Sequence, residues 1–189
     1  MIDPELRNLL LSDCAEARYR SQKERAQVLS WLRTCDTPYR IRKPDEPKMH
    51  LAAYAMIRSG DEFLLVFHSK AKAWIPVGGH LDVNERSACA IERELVEELG
   101  MRPDKVEPKP FFVTRTNVQD ADIIHTDVTF WHLVDLDRSQ LGTKTVDHNE
   151  TLRWFTVHDM LSIRESLGLC AALRSLGSQV NIDTHTAAV

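Results

Sequence analysis

Gly79, Glu85, Arg93, Glu94, Glu97 and Glu98 carry the chemistry available to this chain, within the stretch GHLDVNERSACAIERELVEELGM at 79–101. Ala88, Ile91, Leu95 and Leu99 recur at three- and four-residue spacing. That period predicts a helix from about Glu85 to Leu99 with one buried apolar stripe, stopped by Gly100. At about 100° per residue, Glu94 and Glu98 stack one turn apart, and Glu97 stands beside them. Three carboxylates then share one wall. Like charges at this spacing repel by about a few tenths of a kcal/mol per pair, and the C-terminal end of a helix dipole favours cations. A solvated acidic face with Arg86 and Arg93 as neighbours is the plain alternative. The spaced glycine and Glu85 favour a divalent-cation site instead. Hard oxygen donors suit Mg²⁺ or Mn²⁺, and Mg²⁺ shares its shell with substrate phosphates.

The chain of 189 residues has room for one domain with a substantial core and a modest extension. Its 43% hydrophobic and 28% charged residues are an ordinary globular balance, and a formal charge of −4 argues against a broad nonspecific grip on nucleic acid or anionic lipid. A phosphate ligand must then be met by local cations and metal. Cys14, Cys35, Cys89 and Cys170 form no CxxC pair and no zinc-ligand grouping with histidine, so reduced structural thiols are expected. Residues 1–20 are broken by charges and no long apolar run occurs. The expectation is a cytoplasmic protein with no membrane span.

Two helices are expected within 3–35, the second opened by Ser21-Gln22-Lys23-Glu24 in the form of a capping box. They can pack on a sheet, lid the site or form a homodimer contact; packing is the simplest of the three. The three prolines of 37–47 read as an extended connector. Strands are expected at 49–57 and 62–68 around a Ser59-Gly60-Asp61 turn. Further strands follow at 111–116, 123–136 and 150–156, with a polar turn at 117–122. On the long strand, Val128, Phe130 and His132 should face one side, and Thr129, Trp131 and Leu133 the other. One or two helices close the fold, and 178–189 reads as a polar tail.

Gly79, five residues, Glu85, seven residues, then Arg93-Glu94-Leu95-Val96-Glu97-Glu98-Leu99-Gly100 resembles the complete Nudix box. The surrounding order of strands resembles the Nudix hydrolases more loosely. The resemblance implies an α/β fold, the α/β/α sandwich around a mixed sheet, with an N-terminal helical extension. It divides the chain into 1–47, a Nudix domain at 48–177 and the tail. Family members cleave a diphosphate linkage in a nucleoside diphosphate joined to another group, using Mg²⁺ or Mn²⁺. Carried onto matching positions, Glu94, Glu97 and Glu98 are metal carboxylates and the Gly79 carbonyl a further ligand. Glu85 acts through a metal-bound water or supports the metal shell, and Arg93 orients a glutamate. The family draws its base either from the box helix, here Glu94, or from a later loop, here Glu150, whose plain alternative is a solvated strand-edge carboxylate.

Lys70, Lys72 and Arg115 are candidates for pairing with substrate phosphates, against the ordinary fate of solvated basic side chains. His80 and His125 read as polar structural histidines, and Trp74 as core or as a base-stacking ring. Pro76 lies one residue earlier than the family pattern places it, and Asp82 and Asn84 replace a frequent glutamate and glycine. Asn tolerates the left-handed backbone that such a loop needs. Markers of the NADH, coenzyme A, ADP-ribose and dinucleoside polyphosphate enzymes are absent, so the substrate is expected only to be a small nucleotide or related diphosphate. A noncatalytic sensor or interaction module should lack one or more of the glutamates, all of which are present. An isopentenyl diphosphate type isomerase would carry further metal and cysteine chemistry.

Overall fold

The computed structural model describes residues 2–42, 47–69, 72–101, 106–120, 123–141, 151–163 and 168–177. Its centre is β1 (Met49–Ser59), which is buried on both faces from His50 to Ile57. β2 (Glu62–His68) returns antiparallel after the Gly60 turn, as the sequence predicts. The short β3 (Ala73–Ile75) and β4 (Val77–His80) follow. The central helix, flanked by these and later strands, is preceded by helices α1 (Pro4–Glu16) and α2 (Gln22–Thr34) and is therefore α3 (Ser87–Leu99). β5 (Phe112–Asp120), β6 (Ile123–Asp135), β7 (Thr151–Thr156), α4 (Val157–Ser162) and α5 (Leu169–Leu176) complete the order, with a 3₁₀ turn at Arg138–Leu141.

The seven-stranded sheet runs β3-β2-β1-β6-β5, with β4 added to β1 and β7 to β2. Only the β1–β6 pair is parallel among these, so the sheet is mixed. Alternation along β1 divides the core. Leu51, Ala53, Ala55 and Ile57 join a cluster with Leu10, Val28 and Leu32 of α1 and α2 and with Ile91 and Leu95 of α3. Ala52, Tyr54 and Met56 join a second cluster with Leu169, Leu173 and Leu176 of α5. Helices thus cover both faces of the sheet, the expected sandwich.

Several boundaries differ from expectation for physical reasons. β5 continues to Asp120, because pairing with β6 extends from Phe112↔Trp131 to Asp120↔Ile123, leaving no six-residue turn. The capping box of α2 is half formed. Ser21 accepts from the Glu24 amide at 3.1 Å, but the Glu24 carboxylate is drawn instead to Arg20 and to the backbone N–H of Arg115. That buried charge ties α2 to β5. Trp74 packs edge-on against Phe67 and Phe155, which makes it a core ring. Among the described residues no helix is long and apolar enough to cross a membrane.

Val128, Phe130 and His132 share one face of β6, as the alternation requires, and His132 is fully buried there. Its Nδ1–H donates to the Glu107 carbonyl and its Nε2 accepts from Ser87 Oγ, each at 3.0 Å, which fixes α3 to β6. Burial pushes the His132 ring down from 6.5 to about 4, aided by the Arg86 charge and opposed by the Glu107 carbonyl. The unfolded chain therefore takes up this proton first as pH falls. Stability from His132 is complete above about pH 6.5 and is lost between 6.5 and about 4. The loss amounts to about 3 kcal/mol. Denaturant midpoints measured across that window should fall more steeply in the wild type than in His132→Gln.

Candidate active site

α3 begins at Ser87 rather than Glu85, and the two-residue difference is part of the site. Glu85 accepts from the Asp82 amide at 2.8 Å and takes both arms of the Arg93 guanidinium, Nε and Nη2, each at 3.0 Å. The backbone is extended at Arg86, the N-cap, with φ −87° and ψ 153°, so the first turn starts after Glu85. Asn84 adopts φ 65° in this loop, the left-handed conformation its side chain tolerates. Gly100 ends α3 with φ 63°.

Arg93 is the organiser. Besides Glu85, its Nη1 reaches Glu94 at 2.8 Å and Glu97 at 3.2 Å, and its Nη2 donates to the His80 carbonyl at 3.2 Å. One cation therefore joins the loop, the helix and the end of β4. Hydrogen bonds donated to Glu85, against the opposing effect of burial, raise the Arg93 pKa, so the guanidinium stays charged. Glu94 is 9% exposed, and a Cβ added to Gly79 would sit 2.5 Å from its Oε1. Only a glycine leaves room for that carboxylate. Burial raises the Glu94 pKa and the Arg93 hydrogen bond and charge lower it, with burial prevailing.

Glu97 and Glu98 lie on the same side of the helix, Glu97 exposed and Glu98 half-buried. The Glu94 position corrects one detail of the helical-wheel expectation. It is buried against β4 rather than standing on an open acidic wall, because Gly79 has no side chain to occupy the space beside it. Hard oxygen donors on one helix face, one of them costly to ionise without a cation, fit Mg²⁺ or Mn²⁺.

The expected phosphate-binding cations are scattered. Lys72 is exposed in the turn after β2, at φ 49°. Arg115 lines a groove of about 650 Å³ between α2 and the sheet, with Lys23, Gln27, Trp31 and Met49. Lys70 and Glu150 lie outside the described residues. A second polar group, His50, His80, His125 and Asp127, gathers at the other end of β4 from the Val77 start. The sequence reading missed it, since its members come from three strands. The only local signal is the His125–Asp127 alternation on β6, with His80 directly after the paired glycines.

Comparison with known proteins bears on the family and the fold. The family model described as NUDIX domain matches residues 48–170. Among solved structures, an Ap4A hydrolase of C. elegans aligns at 19% identity and a TM-score of 0.51, covering 68% of this chain and 96% of that one. A MutT NUDIX hydrolase from Burkholderia pseudomallei aligns at 21% identity and a TM-score of 0.50, covering 67% and 96%. The NUDIX domain of Shewanella oneidensis NrtR, solved with ADP ribose, aligns at 18% identity and a TM-score of 0.52, covering 79% and 96%. No curated protein gives a significant match. At these identities the solved structures speak for the fold alone, while the family model spans well over half of the chain and includes the whole Arg93-centred motif. The chain belongs to the NUDIX domain family.

Proposed function

We propose that this chain is a divalent-cation-dependent hydrolase that cleaves a diphosphate linkage in a nucleoside diphosphate joined to another group, by attack of water on phosphorus. The observation that carries the proposal is the Arg93 clamp, which holds Glu85, Glu94 and Glu97 in one constellation beside Gly79. Glu94, Glu97, Glu98 and the Gly79 carbonyl would hold Mg²⁺ or Mn²⁺. When bound, the cation supplies neutralisation of the diphosphate charge and lowers the pKa of attacking water.

The chain's own residues supply position and proton handling. Arg93 keeps Glu94 and Glu85 from splaying apart under their mutual repulsion, so little reorganisation is needed when substrate arrives. Glu94, buried and raised in pKa, is suited to accept a proton from the attacking water. Glu150, which precedes β7 in the sequence and lies outside the described residues, is the other candidate base. Lys70, Lys72 and Arg115 are proposed to contribute positive charge toward substrate phosphates. The substrate is a small nucleotide or related diphosphate and the setting cytoplasmic.

A panel of nucleoside triphosphates, ADP-ribose, NADH, dinucleoside polyphosphates and nucleotide sugars, assayed with Mg²⁺ or Mn²⁺, tests this. Release of two monophosphate-type products from at least one compound is expected. Tight binding of a panel compound without turnover would replace the proposal with a noncatalytic ligand sensor.

A further inference from the structure

Three imidazoles and a carboxylate meet on the α5-side face of the sheet. His50 and Asp127 are direct cross-strand partners on β1 and β6; His125 lies two residues before Asp127, and His80 ends β4 opposite Ala52. Period-two alternation puts all four on the face of Ala52 and Tyr54, behind Gly79 as seen from α3. His50, Asp127 and His125 are 0%, 2% and 4% exposed, and the His80 side chain is 27% exposed.

All three Nε2 atoms approach one oxygen, Asp127 Oδ1: His50 at 3.1 Å, His125 at 3.4 Å and His80 at 3.5 Å. One ligand atom from each residue can be chosen so that all lie within 4.8 Å of one another. Yet His50 Nε2, His80 Nε2 and Asp127 Oδ1 are buried without a hydrogen bond of acceptable geometry. The atoms are close but not aimed at each other. Four donors about 2.0–2.1 Å from a tetrahedral ion stand about 3.3 Å apart, which matches the three separations from Asp127 Oδ1. The set as a whole, within 4.8 Å, would draw together around an ion.

The tautomer of His50 sharpens the point. Its Nδ1 is 2.8 Å from the Pro47 carbonyl, which only accepts, so Nδ1 carries the hydrogen. Its Nε2 then faces the Asp127 oxygen at 3.1 Å, and two such atoms need a positive species between them, a second ring proton when no ion is bound or a metal cation in its place. A backbone carbonyl fixing the far nitrogen of an imidazole is also how metal-ligating histidines are oriented. His80 differs, because Arg40 Nη1 lies 3.3 Å from its Nδ1 and a guanidinium only donates. Ligation by His80 Nε2 moves the ring hydrogen to Nδ1 and displaces Arg40. His80, the most exposed of the four, is thus the entry point.

We infer that His50, His80, His125 and Asp127 form a second metal site, distinct from the glutamates of α3, that binds one tetrahedral transition-metal dication of the Zn²⁺ class. Nitrogen donors select such ions over Mg²⁺, and four protein ligands with no open position make a structural site. The ion would join β4, β1 and β6 beside the Gly79 peptide and the His80 carbonyl that Arg93 grips. This inference stands independently of the hydrolase proposal.

The test uses full-length protein stripped with chelator, returned to excess Mg²⁺ and titrated with Co²⁺. One equivalent per chain is expected, with the intense visible bands of a four-coordinate ion, reversed by Zn²⁺, and a rise in melting temperature with Zn²⁺. Asp127→Asn and His80→Gln should each weaken uptake by about tenfold or more, whereas Glu98→Gln should leave it unchanged. His80→Gln alters the most exposed member, so it decides the matter if Asp127→Asn does not fold. No uptake, a faint six-coordinate spectrum, uptake lost in Glu98→Gln, or a folded His80→Gln that binds as the wild type would overturn the inference.

Discussion

Glu98→Gln is expected to abolish most hydrolysis while leaving the fold intact. Glutamine has the size of glutamate but lacks its charge, so it withdraws one hard anionic oxygen from the face that Glu94 and Glu97 share. The loss should exceed the roughly 10- to 100-fold cost of removing an outer-shell partner of a metal. Stability should be unchanged or rise by about a few tenths of a kcal/mol, because a like-charge neighbour one turn from Glu94 has gone. The two readouts moving in opposite directions separate a functional carboxylate from a structural one. Turnover equal to the wild type's on a compound the wild type cleaves would remove Glu98 from the site.

Gly78→Ala should produce the largest loss of stability. Its φ of +144° is a conformation that side chains rarely adopt, and an added Cβ would overlap the Ala53 carbonyl oxygen and lie 2.8 Å from the Tyr54 Cα. Both obstacles are backbone atoms of the central strand, paired to β4 in this register. Neither can give way without breaking the β1–β4 ladder, so a cost above about 4 kcal/mol is expected. Gly79→Ala is a contrasting case. There the obstacle is the Glu94 carboxylate, which can swing away at the expense of its Arg93 contact. Urea denaturation of the two variants should therefore separate them, with Gly78→Ala unfolded or nearly so and Gly79→Ala folded but catalytically poor. A Gly78→Ala protein as stable as the wild type would contradict the packing described for β4.

The features legible in the sequence were those with a local period. The apolar stripe of α3, its Gly100 stop, the β1–β2 hairpin and the two faces of β6 follow from spacing alone, and the structure places them within a residue or two. Departures occur where a distant side chain competes. Arg93 grips Glu85 in the loop ahead of the helix, Arg20 and the Arg115 backbone draw Glu24 away from its capping box, and β6 extends β5 by offering partners. No periodicity encodes such long-range choices. The clustering of His50, His80, His125 and Asp127 was hidden for the same reason. Strands separated by about thirty or more residues supply it, and only the register of β1 with β4 and β6 brings them together.

Hydrolysis as proposed requires that the glutamates of α3 bind a divalent cation. Mn²⁺ titration followed by the electron paramagnetic resonance signal of the free ion, with the histidine cluster first saturated with Zn²⁺, measures that binding without any assumption about substrate. Mn²⁺ uptake by the wild type is expected, with competition by Mg²⁺ and affinity reduced about tenfold or more in Glu94→Gln and Glu98→Gln. Mn²⁺ that stays free in solution at every ratio, or that binds equally well to all three proteins, would contradict it.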